Sequence, residues 1–285
     1  MTHTPMTVPM YGKEDSTDIS RKDINRIALI DADRFKYVVA HNMFYEMNTE
    51  GEKHSKELLE RLIDNCLERY VFNHYNATAY VFCFSAPSKQ VYRNLLACEK
   101  GYKAQRAKKD DPYYYEEKYD DMAYVYKYIS LNQISLLKNN LEADDIMSLL
   151  QCQYTFIHSI DKDMKQVGGM YYEENDYEFI EISQDDGFKL LMEQTIKGDS
   201  VDNIPGLKGF GDKFVETLHK FEGEQLLQVV IGTFIKKHGV VNGTDMFVEM
   251  YNLVTLKRRR GLYTEELHKD MFDLINNLSK LLKDE

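Results

Sequence analysis

Residues 26–33 are RIALIDAD, a short apolar run that ends directly in two acids. Such a run predicts a buried strand. Residues 52–73 then carry apolar side chains at helical spacing, and residues 79–84 (AYVFCF) predict a second buried strand. A strand, a helix and a strand in this order favour a parallel sheet, in which sites gather beyond the carboxyl ends of the strands.

Acids follow other predicted elements in the same way. Residues 155–160 predict a strand that runs directly into two acids. Residues 134–137 predict a weaker strand, followed by a helix that opens with three acids. Counting the first strand and a turn near residue 200, the clusters of acids at element ends are Asp31/Asp33, Glu142/Asp144/Asp145, Asp161/Asp163 and Asp199/Asp202.

Carboxylates that converge in a fold cannot all stay ionised without cations. Their oxygens suit Mg²⁺ or Mn²⁺, and the chain has no His and Cys cluster of the kind that binds zinc. We therefore expect two such ions, about 3.5–4 Å apart, at a site that hydrolyses phosphodiester bonds. Taken singly, each cluster also has a structural interpretation, because acids interact with helix starts and stabilise turns.

The composition limits the class of protein. The 285 residues are 43% hydrophobic, and no stretch approaches the ~20 apolar residues of a membrane span, so we expect no membrane contact. Four Cys without a C-x-x-C pair indicate reduced thiols and an intracellular, cytoplasmic protein. The net charge of −11 argues against a protein that covers phosphate backbones through its overall charge. The positions of the basic residues are therefore more informative than their number.

Basic residues concentrate in one segment. Residues 89–109 hold seven Lys and Arg against one acid. Such a run is usually a solvated helix face. The functional alternative is an element that grips phosphates, with Tyr102 stacking on a base.

Residues 198–213 (GDSVDNIPGLKGFGDK) form a block rich in turn residues, which predicts a tight hairpin between two helices. It is either a plain turn or a phosphate site that uses exposed backbone N–H groups and nearby lysines. The second interpretation assigns to DNA binding the residues Gly206, Lys208, Gly209, Gly211 and Lys213.

Together these motifs resemble the 5′-nuclease, or flap endonuclease, family, which includes bacteriophage 5′–3′ exonucleases and the 5′-nuclease domain of DNA polymerase I. The resemblance covers about residues 27–225. Its last segment is the most specific, since it resembles the family's helix-two-turn-helix element, which grips duplex DNA, often around a potassium ion. The segments that carry the resemblance are IDAD (30–33), YKAQR (102–106), LEADD (141–145), SIDKD (159–163) and the block 198–213.

The resemblance implies a role for each matching residue. The catalytic cations are Lys103 and Arg106, at the base of a helical arch over roughly residues 88–121. The implied metal ligands are Asp31, Glu142 and Asp144 for one ion, Asp161, Asp163 and Asp199 for the other, and Asp145 and Asp202 as nearby acids.

One segment departs from the family pattern. The family has an Asp shortly after the second strand, whereas residues 84–88 are FSAPS and contain no acid. A ligand of the first ion is then missing. Asp33 would compensate for it, or a water molecule would, with weaker metal binding. The alternative is a structure-specific DNA-binding protein with reduced or lost nuclease activity.

We expect an α/β fold with a central, mostly parallel sheet flanked by helices. The predicted parts are a flexible tail (1–25), an α/β nuclease domain (26–183) and a helical region (184–285), with the helix-two-turn-helix at 190–222. The expected function is a monomeric 5′–3′ exonuclease or 5′-flap endonuclease acting on DNA, and on RNA primers in replication, in a bacterial or virus-infected cell. A PIN-like ribonuclease is a further alternative, although it has no need of the hairpin block.

Overall fold

A computed structural model of the chain describes residues 22–97, 101–104 and 111–257. Their strands form one six-stranded sheet and are β1 Lys22–Asp31, β2 Tyr75–Phe84, β3 Ile134–Leu137, β4 Thr155–His158, β5 Gly169–Glu173 and β6 Glu178–Ile182. The order across the sheet is β3-β2-β1-β4-β5-β6, and β5 and β6 pair antiparallel while the other neighbours are parallel. The predicted α/β fold with a mostly parallel sheet is confirmed.

The helices of the described residues are α1 Ala32–Asn48, α2 Lys56–Leu67, α3 Arg93–Leu96, α4 Lys118–Asn132, α5 Ala143–Leu150, α6 Gln184–Lys197, α7 Asp212–Leu218, α8 Gly223–His238 and α9 Val240–Val254. A π-helical turn, Glu68–Phe72, extends α2, and a 3₁₀ turn, Lys162–Gln166, follows β4. Across the part of the chain described, no helix has the length and apolar character needed to cross a membrane.

Two strands begin earlier than predicted. β1 begins at Lys22, so residues 22–25 of the predicted tail belong to the sheet, while residues 1–21 lie outside the described part. β2 begins at Tyr75, and its polar start pairs with that of β1 through Asn76, whose amide donates to Asp23 at 2.8 Å. Because polar pairs hold these strand ends together, hydrophobicity alone could not reveal them. No helix was predicted over residues 32–48, where α1 buries Phe35.

The sheet has a core on each face. On one face, α1, α2 and α4 pack against Phe82 and Phe84 of β2. On the other face, α5 buries Ile146 against Leu29 and Val81. A third apolar cluster is formed by side chains of α6, α7, α8 and α9.

A buried arginine joins the helical region to the sheet. Arg93, in α3, is 2% exposed. Its Nη1 lies 2.7 Å from carboxylate oxygens of both Glu142 and Asp145, at the start of α5. Its Nε and Nη2 donate to the carbonyl oxygens of Leu253 and Thr255, at the end of α9, at 3.0 and 2.8 Å. One guanidinium therefore fastens three elements with charge-assisted hydrogen bonds.

Arg93→Met should lower the free energy of unfolding by about 3–5 kcal/mol, because it leaves two carboxylates buried without their counter-charge. Urea denaturation measures this. Arg61→Met is the matched control, since Arg61 is exposed and its nearest ion-pair distance, to Glu52, is 3.7 Å. The control should change stability by less than about 1 kcal/mol. Equal small losses for both variants would show that Arg93 is not a structural joint.

Candidate active site

Two strand ends bring the first acids together. Asp31 is the last residue of β1, and its Oδ1 accepts the N–H groups of Asp33 and Arg34 at 3.1 Å each, which caps α1. Asp161 follows β4, the parallel neighbour of β1, and caps the 3₁₀ turn. Between them, the hydroxyl of Ser159 donates to Asp31 Oδ2 at 3.3 Å. Capping and convergence, which the sequence left as alternatives, thus occur together at Asp31 and Asp161.

The start of α5 adds two more acids to this group. Glu142 precedes the helix as its N-cap residue, and Asp144 lies in the first turn. Burial raises the pKa of Asp144 well above its usual value, and the neighbouring charges of Asp31 and Asp161 raise it further. Burial, together with the charge of Asp33, raises the pKa of Asp31 to about 6. Since these carboxylates oppose each other's ionisation, Asp31, Asp144 and Asp161 from three separate elements lie close together in one cluster, the acid pocket.

A second group of acids adjoins the first. Burial and the charges of Asp161 and Asp199 raise the pKa of Asp163 to about 7. Asp163 Oδ1 accepts a hydrogen bond from the amide of Gln194, in α6, at 2.5 Å. Asp199 lies just after α6 and accepts the N–H of Val201 at 2.7 Å. Asp161 therefore belongs to both groups and connects them.

The base of the predicted arch closes over Glu142. Lys103 Nζ lies 2.5 Å from Glu142 Oε1 and 3.6 Å from Asp202 Oδ2. Burial opposes the ionisation of Glu142, but the charges of Lys103 and Arg93 outweigh it and hold the Glu142 pKa below its usual value. Lys103 also takes a left-handed backbone conformation (φ 55°), which side chains rarely adopt. The structure thus places one predicted catalytic cation directly beside two of the predicted acids.

Tyr102 differs from its prediction as a stacking platform. Its ring is buried, with 8% exposure. Its hydroxyl lies 2.8 Å from Glu142 Oε2 and 3.1 Å from Asp202 Oδ2. The hydroxyl of a buried tyrosine needs such acceptors, and these contacts hold the ring inside the protein. Tyr102 instead orients the acids.

Asp145, predicted as an acid near the metal ligands, lies beside Glu142 and is paired with a cation of the chain itself. It is fully buried, and its two oxygens accept hydrogen bonds from Arg93 at 2.7 and 2.8 Å. It also completes a capping box with Glu142 at the start of α5. Because the guanidinium already neutralises its charge, Asp145 has a structural role and positions its neighbours.

The donor set fits a hard divalent cation. Within the described residues, no three His, Cys, Asp or Glu side chains are arranged as a ready-made metal site. The acids around Asp31, Asp144 and Asp161 nevertheless supply carboxylate oxygens, which Mg²⁺ and Mn²⁺ prefer. Burial and the charges of Asp31, Asp161 and Glu142 together raise the pKa of Asp144, which disfavours its ionised form in the absence of a nearby cation. A bound cation would favour the ionised form.

The hairpin block has two kinds of glycine. Gly198 and Gly206 have φ of 69° and 61°, and a Cβ on Gly206 would lie 2.3 Å from the carbonyl carbon of Lys197. Gly206 is buried. It therefore permits close backbone packing, a structural role that differs from the exposed DNA contact predicted for it. The other residues predicted to bind DNA are exposed, namely Lys208, Gly209, Gly211 and Lys213.

Two cations were missed from the sequence. Arg93 binds acids of the predicted metal site, although its burial could not be read from a basic run. Lys237, at the end of α8, is exposed and lies 5.2 Å from the ring of Phe210, in the hairpin block. In the sequence it is one of several cations in a last helical turn, where the helix dipole explains them. Arg106 and residues 98–100 and 105–110 of the predicted arch lie outside the described part.

No family model matches the chain, and no curated protein matches it in sequence. Solved structures do resemble it. The bacteriophage T5 D15 protein crystallised with metal ions and the T5 5′-exonuclease with bound zinc each match with a TM-score of 0.60 at 16% identity, over 88% of this chain and 99% and 100% of theirs. A T5 D15 flap endonuclease pseudo-enzyme–product complex with DNA and metal ions matches with a TM-score of 0.60 at 15% identity, over 88% and 99%.

These matches span nearly the whole length of the T5 proteins, so they extend beyond the central sheet. They show the fold that the resemblance predicts. The chain has the fold of the 5′-nucleases.

Proposed function

We propose that the chain is a divalent-metal-dependent nuclease that hydrolyses phosphodiester bonds of DNA at 5′ ends or 5′ flaps. One observation carries the proposal: acids from distant parts of the chain converge at the carboxyl edge of the sheet, where burial and the neighbouring carboxylates raise the pKa of Asp31, Asp144 and Asp163. The fold shared with the T5 5′-exonuclease supports it. The converging acids are Asp31, Glu142, Asp144, Asp161, Asp163 and Asp199.

Two Mg²⁺ or Mn²⁺ ions would be held by these acids. When bound, they would activate a water molecule and stabilise the leaving oxygen of the scissile phosphate. Asp202 lies beside Lys103, at the edge of the pocket. A potassium ion at the hairpin rests on the family resemblance alone. The proposed ligands are Asp31, Glu142 and Asp144 for one ion and Asp161, Asp163 and Asp199 for the other.

The chain's own cations would position the substrate. The ammonium of Lys103 lies at the rim of the acid pocket, where it would attract the phosphate and screen its charge from Glu142. Tyr102 holds Glu142 and Asp202 in place through its hydroxyl. We assign to Arg106 the same contact with phosphate that the family resemblance implies.

The hairpin block would hold the duplex. Lys208 and Lys213 are exposed on it, and Lys237 extends the same basic surface from α8. Such cations bind phosphates without reading sequence, which suits a nuclease that recognises strand ends and branches. The same activity would remove RNA primers in replication, and we propose a monomer. A PIN-like ribonuclease has no need of this hairpin, which disfavours that alternative.

The main rival is a DNA-binding protein without turnover. It is favoured by Ser85, which follows β2 where the family has an acid. It would bind branched DNA without metal and release it uncut.

Asp161→Ala should reduce the Mn²⁺-dependent cleavage of a labelled 5′-flap DNA by at least about 100-fold, since loss of a ligand exceeds the 10–100-fold cost of losing its outer partners. Asp161 is exposed, so the variant should stay folded. Asp185→Ala, an exposed acid in the first turn of α6, should cleave like the wild type. Equal cleavage by all three proteins would refute the assignment, and uncut but bound DNA with the wild type would favour the rival.

Replacing Lys208 and Lys213 together by Ala should weaken duplex binding roughly 10-fold and lower the slope of log K against log salt by about 2, since each phosphate contact contributes about 0.9. Fluorescence anisotropy in EDTA separates this effect from catalysis. Replacing Lys53, just before α2, and Lys127, in α4, removes the same charge from exposed positions outside the hairpin block. This control variant should change affinity little. Unchanged affinity in the hairpin variant would mean that the hairpin is only a turn.

A further inference from the structure

Asp33 reaches the one central strand end that carries no acid. It is the second residue of α1, directly beyond β1. Its Oδ2 accepts the backbone N–H of Ser85 at 3.2 Å, and Ser85 is the first residue after β2. The Asp33 carboxylate therefore extends sideways from β1 to the carboxyl end of β2.

Ser85 connects this carboxylate to the proposed metal ligands. While its N–H binds Asp33, its Oγ accepts the backbone N–H of Ala143 at 2.9 Å. Ala143 lies between Glu142 and Asp144 in the chain. An acid at position 85 would thus emerge among the same carboxylates, and Asp33 occupies one side of that position.

The strand register places Asp31 and Asp33 at the same end of the sheet. Asp31 lies opposite Cys83 in the parallel ladder between β1 and β2. Asp33 binds the N–H of Ser85, two residues beyond Cys83. Both carboxylates therefore belong to residues beside the end of β2.

Lys36 contacts Asp33 but does not occupy all the lone pairs of its carboxylate. The Lys36 ammonium lies 2.7 Å from Asp33 Oδ1 and 5.5 Å from the centre of the Phe84 ring. A carboxylate offers about four lone-pair sites, so the contacts with Lys36 and Ser85 leave room for a further bond.

We propose that Asp33 supplies, from the start of α1, the carboxylate that the end of β2 lacks, and that it ligates a divalent cation together with Asp31 and Asp144. The inference rests on the proposed function, because it concerns a ligand of that same site. Compared with the family pattern, this ligand comes from a helix and not from a strand end. Lys36 offsets its charge and Ser85 fixes its direction.

Mn²⁺ binding tests the proposal without any substrate. Electron paramagnetic resonance of free Mn²⁺ gives the affinity and the number of sites. Asp33→Asn should weaken binding at one site by about 10-fold or more, as expected for loss of an anionic oxygen. Adding Ser85→Asp to that variant should restore affinity to within about 3-fold of the wild type, since it returns a carboxylate to the same point. Asp185→Asn, an exposed acid on α6, should bind like the wild type.

Weak binding by Asp33→Asn that Ser85→Asp restores would support the proposal. Wild-type binding by Asp33→Asn, while Asp144→Asn loses an ion, would overturn it. Weak binding that Ser85→Asp fails to restore, in a double variant that unfolds in EDTA like the single one, would also overturn it. If Asp144→Asn also bound Mn²⁺ normally, the proposed function itself would fail.

Discussion

Repulsion between carboxylates at one edge of the sheet is the constraint on which the rest of the structure depends. Parallel strands end side by side, so Asp31 after β1 and Asp161 after β4 must be neighbours. The first turn of α5 then adds Asp144 to the same place. None of these positions is separately unusual. Their coincidence gives a group of acids in which burial and neighbouring charges raise the pKa of Asp31 and Asp144.

The fold relieves only part of this repulsion. Backbone N–H groups cap Asp31, Arg93 neutralises Asp145, and Lys103 neutralises much of Glu142. These contacts explain why Glu142 keeps a low pKa while Asp144 does not. Asp31, Asp144 and Asp163 keep raised pKa values and are proposed as metal ligands, because a divalent cation would supply the positive charge that they lack. Glu142 is also a proposed ligand, although Lys103 and Arg93 already offset part of its charge.

Much of the fold could be predicted because apolar runs ending in acids are a local signal. The strand over residues 134–137 was predicted with the bounds that β3 has. The polar starts of β1 and β2 were missed, since cross-strand hydrogen bonds and not hydrophobicity hold them.

The side-chain environment was harder to predict than the elements. Tyr102 and Gly206 were assigned to DNA, but both are buried, because their partners come from residues about a hundred and about ten positions away. Arg93 looked like one cation in a basic run, and contacts with both α5 and α9 bury it. Which charge meets which is decided by long-range packing, and a single sequence contains no local signal for it.

The most direct test is a crystal of the wild-type protein soaked in Mn²⁺, with anomalous difference maps locating the ions. The expected result is strong density in the pocket, with an ion in bonding contact with oxygens of Asp31 and Asp144. Density confined to acids on the exterior, with none between these two side chains, would contradict the claim that the carboxylates converge to bind metal.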